Sequence, residues 1–102
     1  MAAEDTAKKY IITFHTEFLS DMKKLDKREM ETVSKHIDKI AQNPEHFKHL
    51  HGKGNCYTLR IGNLRVVYSL EGNKIIFLVA ERRKEVYDTY HKRLYTIHEK
   101  IE

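Results

Sequence analysis

The chain has 102 residues and a mass of 12.2 kDa, and its 19 Lys and Arg against 15 Asp and Glu give a net charge of +4 with neutral His. This length predicts one domain with a single modest core and excludes most large cofactor-dependent enzymes. The single Cys excludes an internal disulfide framework and a Cys-based zinc site. Since no apolar run resembles a membrane span or a secretory signal, we expect a cytoplasmic protein without membrane association.

The N-terminal half is predicted to form a strand followed by two helices. Residues 1–9 are polar and are expected to be flexible, whereas the β-branched and aromatic segment Tyr10–Phe14 is typical of a first strand. Apolar residues then recur at helical spacing twice, first in a short helix capped by Thr16 and next behind a capping box of Asp26 and Glu29. We expect these helices to pack as a hairpin with one apolar face each.

The C-terminal half is predicted to form three strands and a helix. The strands are predicted at Tyr57–Ile61, Leu64–Leu70 and Ile75–Ala80. They are separated by tight turns at Gly62-Asn63 and Gly72-Asn73, and apolar residues spaced three and four apart predict an amphipathic helix over 84–102. The order βααβββα, with helices grouped and strands grouped, predicts an α+β fold with an antiparallel meander, in one domain over residues 10–102.

Counting outward from the turns predicts which side chains share a face of the sheet. Arg60 faces Arg65 across the first hairpin, and the second turn pairs Val66 with Val79. One face is then entirely apolar and is expected to take the helix hairpin. The opposite face, expected to be half-open, carries both arginines.

The arginine pair is the first functional signal. Like charges directly opposed in a sheet are destabilising, whereas two converging guanidiniums can hold a phosphate bidentately. The alternative is that both arginines are solvated and splay apart. No acidic residue occurs from His46 to Leu70, and the segment Glu81–Lys84 adds basic groups where the last strand ends. This local positive charge favours an anionic partner such as nucleic acid.

At these residues the sequence resembles the RelE/ParE superfamily of toxins from bacterial and archaeal toxin–antitoxin pairs. The resemblance covers roughly residues 10–87. Three segments carry it: Leu50–Gly52 is similar to the family's L-x-G before the sheet, Tyr57–Tyr68 to its Y-R-x-R-x-G-x-Y-R-V-I-Y hairpin, and Arg83–Tyr87 to its R-x-x-x-Y ending.

The resemblance implies a RelE-like fold and one of two activities. RelE-like members are ribosome-dependent endoribonucleases that cut mRNA in the ribosomal A site, without metal or cofactor, by attack of the ribose 2′-OH on the adjacent phosphate. ParE-like members inhibit DNA gyrase without cleaving RNA. We expect the first activity, and the alternatives are the second or a catalytically weakened RNA-binding member. The resemblance also implies a RelB-like antitoxin that forms a hetero-oligomer with the toxin.

The resemblance further implies catalytic roles for residues at matching positions. Arg65 matches the arginine that stabilises phosphate charge, and Arg60 matches a basic position on the neighbouring strand. Arg83 matches a phosphate or leaving-group contact, and Tyr87 matches a tyrosine used for stacking or proton transfer. Strand alternation alone would place Arg82, rather than Arg83, on the arginine face, but the four-residue spacing to Tyr87 favours Arg83.

One departure from the family pattern directs attention to the histidines. Thr58 stands where many members have Lys or Arg, so another group must replace that cation. Because a neutral His is a good general base near pH 7, we prefer His51, beside Gly52, and a solvated loop residue is the alternative. Further RNA contacts are expected from Lys48, His49, Lys53 and Arg82.

Other candidate groups have structural interpretations. The spacings of His46, His49 and His51 match no metal motif, and Cys56 is interpreted as a small packed residue rather than a nucleophile. The remaining histidines are interpreted as surface or helix residues: His15, His36, His91 and His98. The apolar stripe of the C-terminal helix either covers the core or provides a docking site for the antitoxin.

Overall fold

The computed structural model describes residues 9–52, 54–82 and 85–97. The elements are β1 (Ile11–Phe14), α1 (Thr16–Lys23), α2 (Lys27–Gln42), β2 (Lys48–His49), β3 (Cys56–Ile61), β4 (Leu64–Glu71), β5 (Lys74–Glu81) and α3 (Val86–Leu94). This confirms the predicted α+β order and adds the short strand β2. Turn residues 95–97 follow α3, and the rest of the predicted helix over 84–102 lies outside the described residues, as do residues 1–8 of the predicted flexible segment.

The strands form one five-stranded sheet in the order β1-β5-β4-β3-β2. β1 runs parallel to β5, and the other neighbours are antiparallel. Gly62 and Gly72 open the two hairpin turns with φ of 61°, in the left-handed region that glycine adopts without steric cost. No helix within the described ranges is long and apolar enough to cross a membrane.

The helix hairpin covers one face of the sheet, as predicted. α2 begins with the predicted capping box, in which the side chains of Asp26 and Glu29 each accept from the other residue's backbone N–H. Fully buried side chains of both helices pack with those of the sheet, among them Phe18, Val33, Ile40, Tyr68 and Phe77. The hydroxyl of Tyr68 donates to the carbonyl of Pro44 just after α2, and burial raises the pKa of this phenol.

The second face of the sheet is covered by α3, so the expectation of a half-open arginine face is wrong for most of its area. A second buried cluster fills this interface: Cys56, Val67, Ile76, Leu78, Val79, Val86, Tyr90 and Ile97. The apolar stripe of α3 therefore covers the core. The resulting architecture has three layers, with helices on both faces of the sheet.

The predicted pairing holds throughout the first hairpin, and in the second it holds next to the turn, where Leu70 faces Ile75 and Tyr68 faces Phe77, but fails beyond Tyr68. Arg60 faces Arg65, as predicted, but Val66 faces Ala80 instead of Val79. The register shifts between Val67 and Tyr68, so that β5 carries one extra residue at this point. The sequence gives no sign of this β-bulge, because the apolar run 75–80 is uninterrupted.

His15 is the largest departure among the histidines, since it is completely buried instead of lying on the surface. Its Nδ1 accepts from the backbone N–H of Glu17, so His15, not Thr16, is the N-cap of α1. With Nδ1 accepting, Nε2 carries the proton that is shared with the hydroxyl of Thr96 at 2.9 Å. His15 thus ties the end of β1 to the segment after α3.

Candidate functional site

A row of charged side chains crosses three neighbouring strands on the face that α3 covers. Arg60 of β3 pairs with Arg65 of β4, and Arg65 pairs in turn with Glu81 of β5. Directly paired residues point to the same face, and neighbouring strands lie about 4.8 Å apart. We call these three side chains the charged row. Arg60 is exposed, whereas Arg65 and Glu81 are half-buried, so all three are accessible from solvent.

The β-bulge decides that Glu81 belongs to the charged row. A regular register would place Ala80 opposite Arg65, since Leu70 pairs with Ile75 next to the turn. One extra residue in β5 shifts everything after it by one position and exchanges the two faces. Ala80 consequently packs against the helix hairpin, and Glu81 turns toward α3.

Arg82 lies on the opposite side from the charged row. Its guanidinium forms an ion pair with Glu29 of α2, with Nη2 2.5 Å from Oε1. The strand alternation that would place Arg82 on the arginine face is wrong, because it does not include the bulge. Two further predicted site residues, Lys53 and Arg83, lie outside the described residues.

The first two turns of α3 contact the charged row. The guanidinium carbon of Arg65 lies 6.0 Å from the centroid of the Tyr87 ring, within the range of a cation–π interaction. The hydroxyl of Thr89 lies 3.3 and 3.5 Å from the two carboxylate oxygens of Glu81. A π-face and a carboxylate beside Arg65 offset the repulsion from Arg60, which explains how the sheet tolerates the arginine pair.

A buried ion pair holds α3 in place. β1 pairs with β5 only as far as Phe77, and beyond that point the edge of β5 is capped by side chains. Arg93 of α3 donates to the carbonyl of Leu78 at 2.7 Å and to the carboxylate of Asp21 at 2.6 and 3.2 Å. Asp21 also accepts from the backbone N–H of Ala80 at 3.0 Å. The pair therefore replaces missing ladder bonds and joins α1, β5 and α3.

The predicted histidine contacts lie together at the edge of the sheet. Nε2 of His49 is 2.8 Å from Oδ1 of Asn55, and its ring centroid is 4.9 Å from that of Tyr57. The rings of His49 and His51 are 6.5 Å apart. Gly52, next to His51, lies beside the second turn of α3 instead of beside Tyr87 in the first. The structure thus brings His51 together with His49, and no described contact joins it to the charged row.

Thr58 and Lys48 are neighbours on the face of the charged row. Thr58 is buried, and its hydroxyl donates to the carbonyl of Val66 at 3.0 Å. Lys48 of β2 is the pairing partner of Thr58 and is exposed. Since residues two apart on a strand share a face, Lys48 is a diagonal neighbour of Arg60. This arrangement extends the positive surface toward the sheet edge.

Cys56 has the packed role that the sequence predicted. It is buried beneath α3, and burial raises the pKa of its thiol to about 11. The thiol is therefore protonated near neutral pH, and a protonated thiol is a poor nucleophile. Within the described part of the chain, no group of three or more His, Cys, Asp or Glu side chains could hold a metal ion.

An open groove of about 580 Å³ lies at the end of the sheet, and Glu81 is the one member of the charged row that lines it. It is lined by Asp21, Lys24, Leu25, Leu64, Ala80, Glu81, Arg82, Glu85 and Thr89. This volume is in the range of small-molecule and nucleotide pockets, about 300–1,000 Å³. Solvent can therefore reach Glu81 from this groove.

Four residues around the site carry no recognisable signal in the sequence: Glu81, Thr89, Asp21 and Arg93. Glu81 lies in a basic segment, and its face depends on the bulge. The ion pair of Asp21 and Arg93 joins residues 72 positions apart and has no local pattern. Thr89 lies two residues after Tyr87, and residues at this spacing do not share a helical face.

One family profile matches most of the chain. A family described as the ParE toxin of the type II toxin–antitoxin system parDE matches residues 12–87. A comparison with curated protein sequences gave no match.

Several solved toxin structures share the fold. A mutant of the E. coli toxin RelE in the free state is 23% identical, with a TM-score of 0.73 over 84% of this chain and 98% of that chain. The isolated E. coli RelE toxin is 25% identical, with a TM-score of 0.65 over 83% and 98% of the two chains. A chain of the archaeal RelE–RelB complex from Pyrococcus horikoshii is 25% identical, with a TM-score of 0.65 over 74% and 97%. These similarities confirm the predicted RelE-like fold.

Proposed function

The chain belongs to the ParE toxin family of type II toxin–antitoxin systems, within the RelE/ParE superfamily, and we propose that it is a ribosome-dependent endoribonuclease that cleaves mRNA. In this reaction the ribose 2′-OH attacks the adjacent phosphate, which leaves a cyclic phosphate and a free 5′-OH. The requirement for a 2′-OH restricts the reaction to RNA.

The observation that carries the proposal is the pairing of Arg60 with Arg65, whose guanidinium lies near the ring of Tyr87. The transition state of transesterification concentrates negative charge on the phosphoryl oxygens, and preorganised cations lower its energy. Two adjacent guanidiniums can bind these oxygens bidentately. An exposed aromatic ring beside them can stack on a base and hold the nucleotide. This combination supports RNA cleavage better than docking on a protein.

In the proposed site, Arg65 binds the scissile phosphate and Arg60 binds either the same phosphate or the leaving oxygen. Tyr87 stacks on a base or transfers a proton, and Arg83 stays a predicted contact. His51 stays the predicted base of the sequence analysis.

The proposed path of the RNA follows the exposed basic edge of the sheet. Lys48 supports this path, since it lies diagonal to Arg60 on the same face. Contributions of His49, Lys53 and Arg82 stay predictions. An antitoxin related to RelB is the proposed protein partner, because neighbours of this fold include RelE–RelB complexes.

Primer extension on mRNA in a translating extract tests the proposed function. We expect cuts at codons in the ribosomal A site with the unaltered protein and no cuts with Arg65→Ala, which also ceases to inhibit growth. Arg28→Ala is the matched control, because it removes an exposed guanidinium of α2 and should cut normally. Equal cutting by Arg65→Ala and the unaltered protein would contradict the assignment of Arg65.

A second candidate function is inhibition of DNA gyrase without RNA cleavage. The family profile, which is named for ParE, favours this candidate, and so does Thr58 at a position where many RelE-like members have a cation. Absence of A-site cuts together with inhibited supercoiling by gyrase would identify this activity. The same preparation can be used in both assays.

A further inference from the structure

We propose that Glu81 is the general base that removes the proton from the attacking 2′-OH, an inference that rests on the proposed RNA cleavage. Glu81 is the one carboxylate of the charged row, and it is directly paired with Arg65. Proton transfer by a positioned carboxylate accounts for about 10²–10⁴-fold of the rate in enzymes that use one.

The order of the charged row matches the geometry of the reaction. The attacking 2′-oxygen and the leaving 5′-oxygen must lie on opposite sides of the phosphorus. The row places Glu81, Arg65 and Arg60 on three adjacent strands about 4.8 Å apart, in that order. A phosphate bound to Arg65 therefore has a proton acceptor on one side and a second cation on the other.

The surroundings of Glu81 leave its carboxylate available. Among the residues that the structure describes, Glu81 forms no ion pair, and the guanidinium of Arg65 is turned toward Tyr87. The Thr89 hydroxyl lies 3.3 and 3.5 Å from the two carboxylate oxygens, and its shorter hydrogen bond, of 3.0 Å, goes to the backbone carbonyl of Glu85. The charged and titratable groups around Glu81 or along the same groove are Arg65 on β4, Asp21 and Lys24 from α1 and the residue after it, Arg82 on its own segment, and Glu85 and Tyr87 at the start of α3.

The 2′-O–H bond breaks and its proton moves to the carboxylate of Glu81, while the 2′-oxygen forms a bond to phosphorus. The bond from phosphorus to the 5′-oxygen breaks, and the oxygen departs with the electron pair beside Arg60. Because Arg60 is exposed, water can protonate the 5′-oxygen there, and Glu81 then returns its proton to solvent.

Single-turnover cleavage of mRNA on programmed ribosomes, measured together with RNA binding, tests this role. Glu81→Gln removes the base but keeps the shape of the side chain, and Glu31→Gln is the matched control on the exposed face of α2. We expect Glu81→Gln to cut about 10²–10⁴-fold more slowly with unchanged binding. Glu31→Gln should retain both the rate and the binding.

The outcomes separate this inference from the proposed function. If the unaltered protein does not cut, the proposed function is wrong. If the unaltered protein cuts and Glu81→Gln either cuts equally or loses rate only through weaker binding, Glu81 is not the base. Loss of cleavage in His51→Ala, but not in Glu81→Gln, would assign the base to His51.

Discussion

At the scale of single residues, the site is defined by what surrounds Arg65. Arg60 lies opposite it on one strand, Glu81 lies opposite it on the other, and the Tyr87 ring lies over its guanidinium. Two arginines alone would repel each other, and a carboxylate and a π-face reduce that cost. The arginine pair could be predicted by counting from a two-residue turn. Its other neighbours could not, because they come from elements brought together by packing.

The ring and the hydroxyl of Tyr87 can be separated by substitution. Tyr87→Phe keeps the ring over Arg65, so we expect it to cleave mRNA within a few-fold of the unaltered protein. Tyr87→Leu loses base stacking worth about 1–3 kcal/mol, and we expect cleavage to fall by about 10–100-fold. Tyr95→Leu is the control, since this tyrosine is 79% exposed after α3. A loss of about 10²-fold or more in Tyr87→Phe would instead assign proton transfer to the hydroxyl.

At the scale of elements, the site depends on the irregular end of β5. The β-bulge turns Glu81 toward α3, and the early end of β1 leaves backbone groups of Leu78 and Ala80 at the sheet edge. Arg93 and Asp21 satisfy these groups and attach α3 to the sheet. The ion pair thus attaches to the sheet the same helix that places Tyr87 near Arg65.

Removing one partner of this ion pair should destabilise the whole fold. Arg93→Met keeps the apolar stem but leaves the buried carboxylate of Asp21 without its cation. We expect the free energy of unfolding in urea to fall by roughly 3–5 kcal/mol. The exposed neighbour provides the control, since Lys92→Met should change it by no more than about 0.5 kcal/mol. Similar denaturation midpoints for the two variants would show that the pair contributes little.

At the scale of the whole molecule, helices cover both faces of a single sheet, and the charged row lies at one end of the buried area. The chain carries +4 net charge, but its acid-free stretch from His46 to Leu70 concentrates positive charge along β2, β3 and the start of β4. Within the charged row, Glu81 is the one acidic residue that interrupts this positive surface. The proposed path of the RNA along the basic edge therefore leads to the carboxylate of Glu81.

The salt dependence of RNA binding tests this distribution of charge. For single strands, each phosphate neutralised by a cation contributes about 0.7 to the slope of log K against log salt. We expect Arg60→Ala to reduce the slope for a short RNA by about 0.7, and Arg28→Ala to leave it unchanged. Fluorescence anisotropy at a series of salt concentrations measures both. An equal reduction in the two variants would indicate that binding depends on total charge and not on the charged row.

The sequence by itself determined the order of the elements, the helix hairpin with its capping box, the first hairpin and the opposition of Arg60 to Arg65. These features follow from local periodicity and turn chemistry, which act over a few residues. Only the tertiary structure decided that β1 ends early, that β5 contains a bulge and that α3 lies over the arginine face. A bulge inside a continuous apolar run leaves no trace in hydrophobic alternation, because both faces of β5 are buried. Glu81 therefore became part of the site only through packing.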